Sequence, residues 1–167
     1  RVEFIGRIEK AVSGADLVIL SGDITHFGAE DEAKTVLDAV RRLNPRVLAV
    51  PGNCDYPGVL SFLESEGVSV HARAVSFLGH TIAGIGGSLP CPGRTPNELG
   101  EDGFAALLRE LERQIPASAP LVFVSHQPPR DTLCDMAGKA GHVGSRSIRS
   151  FIERTRPLIC FCGHIHE

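Results

Sequence analysis

Four short apolar runs in this chain each end on residues that carry chemistry. Leu17-Val-Ile-Leu20 leads into Ser21-Gly22-Asp23, and Arg46-Val-Leu-Ala-Val50 leads into Pro51-Gly52-Asn53-Cys54-Asp55. Leu121-Val-Phe-Val124 leads into Ser125-His126-Gln127-Pro128, and Leu158-Ile-Cys-Phe-Cys162 leads into Gly163-His164-Ile165-His166. Runs of four or five residues, rich in β-branched side chains and closed by Gly or Pro, are strand-like. A fold that satisfies this pattern must bring buried strands to a common edge and hold polar groups there.

The segments between the runs have helical spacing. Val2, Ile5, Ile8 and Val12 share one face, as do Ala33, Val36, Leu37, Val40 and Leu43, and Asn44-Pro45 stops that second helix. Val59, Leu60, Phe62 and Leu63 mark a short helix closed by Gly67. Phe104, Leu107, Leu108, Leu111 and Ile115 mark another, and Ser145 is placed to cap a helix that buries Ile148, Phe151 and Ile152. Short strands are expected at 68–70, 74–77 and 81–85, with a turn at Leu78-Gly79-His80. Residues 87–100 and 127–144 are dense in Gly and Pro and form loops long enough to be functional. Helix and strand alternate around a strand-rich insert. That order predicts an α/β fold with a largely parallel sheet, in one domain spanning 1–167.

Composition removes several classes of function. A net charge of −3 leaves no nucleic-acid footprint. The group Arg146, Arg149, Arg154 and Arg156 is read as a solvated helix face. No apolar run approaches the ~18 residues of a membrane span. The 43% hydrophobic and 22% charged content suits a globular chain. Five cysteines at irregular spacing do not make a disulfide framework, so a reducing, cytoplasmic setting is expected. Cys160 and Cys162 are expected to be small buried hydrophobes.

In open α/β sheets, ligands bind beyond the carboxyl ends of the strands. Here those ends gather Asp23, Asn53, His126, His164 and His166. Alone, Asp23 would be read as a helix cap, Asn53 as a turn residue, and His126 as a hydrogen-bonded structural histidine. Agreement among four tips changes that reading. Three imidazoles, a carboxylate and an amide oxygen form a mixed N/O donor set suited to Mn, Fe, Zn, Ni or Co. Gly22, Gly52 and Gly163 let the backbone pass close to a ligand.

The combination of GD at 22–23, GNCD at 52–55, His126 in SHQPP and GHIH at 163–166 resembles the calcineurin-like metallophosphoesterase superfamily. SGDITHFG, GIGGSLP with TPNE, and GHVGS before GHIHE are similar to its small prokaryotic Icc-related branch. The resemblance implies an αββα sandwich with its metal site at the C-terminal strand ends. It implies Asp23 as a carboxylate bridging two divalent cations ~3.5–4 Å apart, with manganese the first expectation. Asn53 and His126 would serve one cation, His164 would be a further terminal ligand, and His166 would complete the other cation's set. A water activated between the cations would attack a small phosphorylated substrate, a phosphomono- or phosphodiester.

Three departures from the family pattern stand out. The D-x-H motif would fall on a strand ahead of residue 1, and the family continues beyond GHIH, so a domain truncated at both ends is expected. Many members carry a histidine after the Asn as proton donor to the leaving group, and this chain has Cys54 there. Cys54 is read as a packed thiol. His26 then becomes a candidate catalytic acid beside Asn53 and His126, with a surface role as its plain alternative. On the substrate side, the N–H groups around Ser145 and the charge of Arg146 could receive a phosphate, against simple capping by Ser145. Asp55 is assigned to holding its loop.

Two other classes fit the sequence less well. A nucleotide-binding domain would need a phosphate loop between strand and helix; Gly84-Ile-Gly86-Gly87 is followed by a Pro-rich loop instead. A non-catalytic, protein-binding member of the same fold, such as a retromer subunit, would show eroded donor positions. Asp23, Asn53, His126, His164 and His166 are all intact.

Overall fold

The computed structural model describes residues 7–166. In chain order the elements are α1 (Glu9–Gly14), β1 (Val18–Ser21), α2 (Glu30–Arg41), β2 (Val47–Val50), α3 (Pro57–Ser65), β3 (Arg73–Phe77) and β4 (His80–Ile85). There follow α4 (Glu101–Gln114), β5 (Leu121–Ser125), α5 (Arg146–Thr155) and β6 (Ile159–Cys162). Two 3-10 turns, Leu133–Asp135 and Gly138–Ala140, lie within the second long loop. Of the first expected helix, Ile8 and Val12 fall at or inside α1, while Val2 and Ile5 lie outside the described residues.

The strands form two sheets. β1 and β2 pair in parallel; the other sheet has the order β3-β4-β5-β6, with β3 antiparallel to β4 and the remaining pairs parallel. Alternation along each strand sends side chains to opposite faces. In β2, Val47 and Ala49 pack with Leu37, Val40, Val59 and Leu63 of α2 and α3. Val50 turns the other way and meets Val70, Ile82 and Val124. In β5, Leu121 and Phe123 pack with Phe104, Leu108, Ile148 and Phe151 of α4 and α5, while Val122 and Val124 join the layer between the sheets. The result is an αββα sandwich.

Local chemistry explains the element ends. Pro57 opens α3 with a φ already suited to a helix. Leu78 and Gly79 have φ of 45° and 79°, the paired left-handed values of a tight hairpin turn between β3 and β4. The expected strand at 68–70 is a single backbone crossing: Ala49 N–H donates to Val68 O, and Val70 N–H donates to Ala49 O. His71 then bridges to Gly84 in the other sheet. This segment stitches the sheets together, which is why it does not extend into a regular ladder.

The sandwich closes where the two sheets approach at Gly84. A Cβ there would stand 2.8 Å from Val50 Cγ1, 3.0 Å from Val124 O and 3.1 Å from Val70 Cγ2. Gly84→Ala is therefore expected to cost about 1–3 kcal/mol through overpacking, read as a lower urea midpoint.

The loop at 127–144 is organised by one carboxylate. Asp135 is fully buried and accepts from Thr132 N (2.8 Å), Asp131 N (3.1 Å), Gly144 N (3.0 Å) and His142 Nδ1 (2.8 Å). Burial alone would raise this carboxyl, but the hydrogen bonds, that of His142 foremost, hold it down at about 2. The unfolded chain titrates Asp near ~3.9. Asp135 thus stabilises the fold above about pH 4, and that contribution is lost as pH falls toward 2. Asp135→Asn should flatten this acid limb in urea melts taken from pH 7 to pH 2. The same change should cost about 2 kcal/mol at pH 7, because an amide NH₂ would face N–H donors.

Candidate metal centre

The C-terminal ends of β1, β2, β5 and β6 meet, and close backbone approach makes this happen. Gly22 has φ 96°, and a Cβ on it would overlap the His126 ring. A Cβ on Gly52 would overlap the Asp23 backbone and carboxylate. Only glycine at these two positions lets the β1 and β2 tips lie against each other and against His126.

The tips are clamped by Asp55. Its fully buried carboxylate accepts from Ile24 N (3.1 Å), Thr25 N (2.7 Å), Thr25 Oγ1 (2.8 Å) and Gly52 N (2.7 Å). Asp55 therefore spends its oxygens on the loop, in line with the sequence reading. Asp23 accepts the Cys54 N–H at 2.9 Å. Asp23 and His164 both have positive φ, 48° and 70°. For non-glycine residues such backbones cost energy and persist only where the surroundings enforce them.

Four donor atoms face one another. Asn53 Oδ1 lies 2.8 Å from His126 Nε2 and 2.8 Å from His164 Nδ1, and His126 Nε2 lies 3.4 Å from Asp23 Oδ1. Protons explain this set poorly. His126 Nδ1 is 2.8 Å from the Ser21 carbonyl oxygen, which only accepts, so Nδ1 carries the proton. If that ring is neutral, a bare Nε2 faces the Asn53 oxygen, lone pair against lone pair, in a place where His126 is 1% exposed. A cation between them removes the conflict. Donors bonded to one ion at ~2.0–2.2 Å lie roughly 3 Å apart, as these do. Among the described residues, no group of three or more His, Cys, Asp or Glu side chains is spaced to hold a metal ion by itself. The amide of Asn53 joins this set.

His164 is pressed below its ordinary pKa first by burial and then by the neighbouring His126, which favours the neutral, ligating form. The two rings stand edge to face with centroids 5.3 Å apart. His166 is exposed and shares a cleft of about 440 Å³ with Asp23, Thr25 and His26. His26 is likewise exposed, its ring against Phe27. The cleft opens beside Asp23, so His26 and His166 line approach space, while Asn53 and His126 are buried on the other side of the Asp23 carboxylate contact.

The Cys54 thiol is pushed up to about 11 by burial and then by the charge of Asp23, so it stays protonated at neutral pH. The helix start at Ser145 and Arg146 is already occupied by an anion of the chain itself. Glu101 accepts from Arg146 N (2.8 Å), Ser147 N (3.0 Å) and Ser145 Oγ (2.9 Å), while Ser145 Oγ also caps Ile148 N. The Arg146 side chain lines a groove between α4 and α5 with Arg109 and Arg154, apart from the donor atoms.

Several organising residues do not stand out in the sequence. Asn97 ties the 87–100 loop to the β2 tip: its N–H donates to Asn53 O (3.1 Å) and its Nδ2 to Gly52 O (3.0 Å). Buried Gln127 accepts from Leu89 N (2.9 Å) and donates to Val143 O (3.0 Å), joining the two long loops. The TPNE run is a signal for Asn97; Gln127 carries none beyond its place after His126.

No helix among the described residues is long and apolar enough to cross a membrane. A family model described as calcineurin-like phosphoesterase matches residues 2–167. An uncharacterized protein of Methanocaldococcus jannaschii is 38% identical over 159 residues, covering 92% of this chain and 70% of that protein. A probable glycerophosphodiester phosphodiesterase, GpdQ, of Arcobacter nitrofigilis is 25% identical over 161 residues, and the chain spans only 57% of its length. The crystal structure of TT1561 of Thermus thermophilus superposes with a TM-score of 0.74 at 18% identity, covering 96% of this chain and 74% of that one. The structural likeness agrees with the sandwich seen here, and the family match runs through all four strand tips. This chain belongs to the calcineurin-like phosphoesterase family.

Proposed function

We propose that this domain hydrolyses small phosphate esters with divalent cations held at the strand tips. The convergence of Asn53 Oδ1 and His126 Nε2, 2.8 Å apart, with His164 Nδ1 and Asp23 Oδ1 carries the reading. Asp23, Asn53, His126 and His164 would hold one cation. Asp23 and His166, which share the open cleft, would contribute to a second. Bound divalent cations supply positive charge for a phosphate and lower the pKa of water. Manganese is the first ion to supply; Fe, Zn, Ni and Co suit the same donors.

The chain's own residues do the rest. Ser21 O orients His126 through Nδ1–H, leaving Nε2 directed at the donor set. The clamp at Asp55 fixes Asp23 and Asn53 relative to each other. His26, in the cleft, is the proposed proton donor to the leaving oxygen, a role that Cys54 with its raised pKa fills poorly. A phosphodiester is the first substrate class to test, given the activity for which the Arcobacter relative is named. The five free thiols fit a reducing, cytoplasmic setting. A protein-binding scaffold would not need these polar atoms packed against one another.

Elemental analysis after purification with manganese should find metal on the chain. Bis(p-nitrophenyl) phosphate should be hydrolysed in a way that EDTA abolishes. Asp23→Asn should lower kcat about a thousandfold, matching the several kcal/mol a catalytic cation contributes. Full activity in that variant, or metal-free activity, would overturn the proposal. His26→Gln should lower kcat for alkyl esters more than for p-nitrophenyl esters, whose leaving group needs little protonation.

A further inference from the structure

His164 has two ring nitrogens with different neighbours. Nδ1 faces the donor set, 2.8 Å from Asn53 Oδ1. Nε2 points away from it, to Cys91 Sγ at 3.7 Å. We propose that Cys91 is the positioning residue for His164, accepting Nε2–H on sulfur and so keeping Nδ1 bare toward the cation. This rests on the reading of His164 as a metal ligand.

The surroundings of the thiol fit an acceptor role. Cys91 Sγ lies 3.2 Å from the Leu89 carbonyl oxygen, which only accepts, so the S–H is directed there. Ser88 Oγ is 3.3 Å from the sulfur and donates its own hydrogen to Leu89 O at 2.8 Å. The sulfur lone pairs are thus left toward His164. The backbone at Cys91 is fixed as well: its N–H donates to Glu98 Oε1 at 3.2 Å, and the same oxygen accepts Thr95 N and Thr95 Oγ1, both at 2.7 Å. Ser88, fully buried, closes the loop through Leu99 N–H to Ser88 O at 2.8 Å. The 87–100 loop therefore delivers one sulfur atom to the back of one imidazole.

His126 uses the other arrangement. Its second nitrogen, Nδ1, is held by the Ser21 carbonyl at 2.8 Å, so its metal-facing atom is Nε2. The two histidines carry opposite tautomers, each set by the acceptor behind the ring. A carbonyl on β1 holds one rigidly. A softer, longer N–H···S contact from a loop holds the other, so the loop at 87–100 couples directly to the ligand set.

The test uses the zinc-loaded chain, because zinc is diamagnetic. In the wild type, nitrogen-15 NMR of the imidazoles should show His164 protonated at Nε2, with that proton slow to exchange. In Cys91→Ala the proton should exchange fast, and zinc affinity, read by competition with a chelating dye, should fall about tenfold. Cys91→Ser should keep most of the affinity, since a hydroxyl oxygen also accepts. Unchanged proton exchange and unchanged affinity in Cys91→Ala would overturn the positioning role. A wild-type chain that binds no zinc and no manganese would instead sink the metal reading itself. Circular dichroism melts on each variant separate a folding defect from either result.

Discussion

Everything at the strand tips depends on one buried carboxylate. Asp55 is anchored just beyond β2, yet its oxygens collect N–H groups from both the β1 tip, at Ile24 and Thr25, and the β2 tip, at Gly52. Those N–H groups sit where the chain leaves a strand and the ladder no longer serves them. Leaving them buried and unpaired would cost roughly 1–3 kcal/mol each. One carboxylate meeting them all makes the two tips a single unit. Asp23 and Asn53 lie inside that unit, so their separation is set by the architecture and not by their own rotamer preferences.

The clamp also explains how strained backbone is tolerated. Asp23 at φ 48° and His164 at φ 70° occupy the left-handed region without being glycine. Each is followed or flanked by fixed hydrogen bonds: Cys54 N–H to Asp23 Oδ1 on one side, and Gly163 N–H to His126 O on the other. The surrounding bonds over-determine both conformations, which is the condition under which such strain survives. The strain turns both side chains toward the same point.

Local patterns made much of this visible in the sequence. The four tips, the amphipathic faces of α2, α4 and α5, and the turn at Leu78-Gly79 were legible because each depends on residues within a few positions of one another. Long-range partners were not. The helix start at Ser145 looked open to a phosphate because Glu101, the group that fills it, lies 44 residues away from Ser145. The segment at 68–70 looked like a strand because it is apolar and alternates, but it crosses from one sheet to the other and pairs at single residues. Cys91 read only as one of five scattered cysteines; its contact with His164 spans 73 positions.

The same long-range view bears on charge. Acidic side chains near these loops are mostly spent on the backbone: Asp55 on both tips, Glu98 on its own loop, Glu101 on the start of α5, Asp135 on the second long loop. Asp23 accepts one backbone N–H, from Cys54, and is, among the described residues, the carboxylate with two imidazoles and an amide beside it. Among the described residues, a divalent cation in the proposed position would meet one negative charge and three neutral donors. With its other nearby acids committed to holding loops, the chain leaves Asp23 to meet a cation beside the cleft, and a site so loaded would draw an anionic ester toward Asp23, His26 and His166.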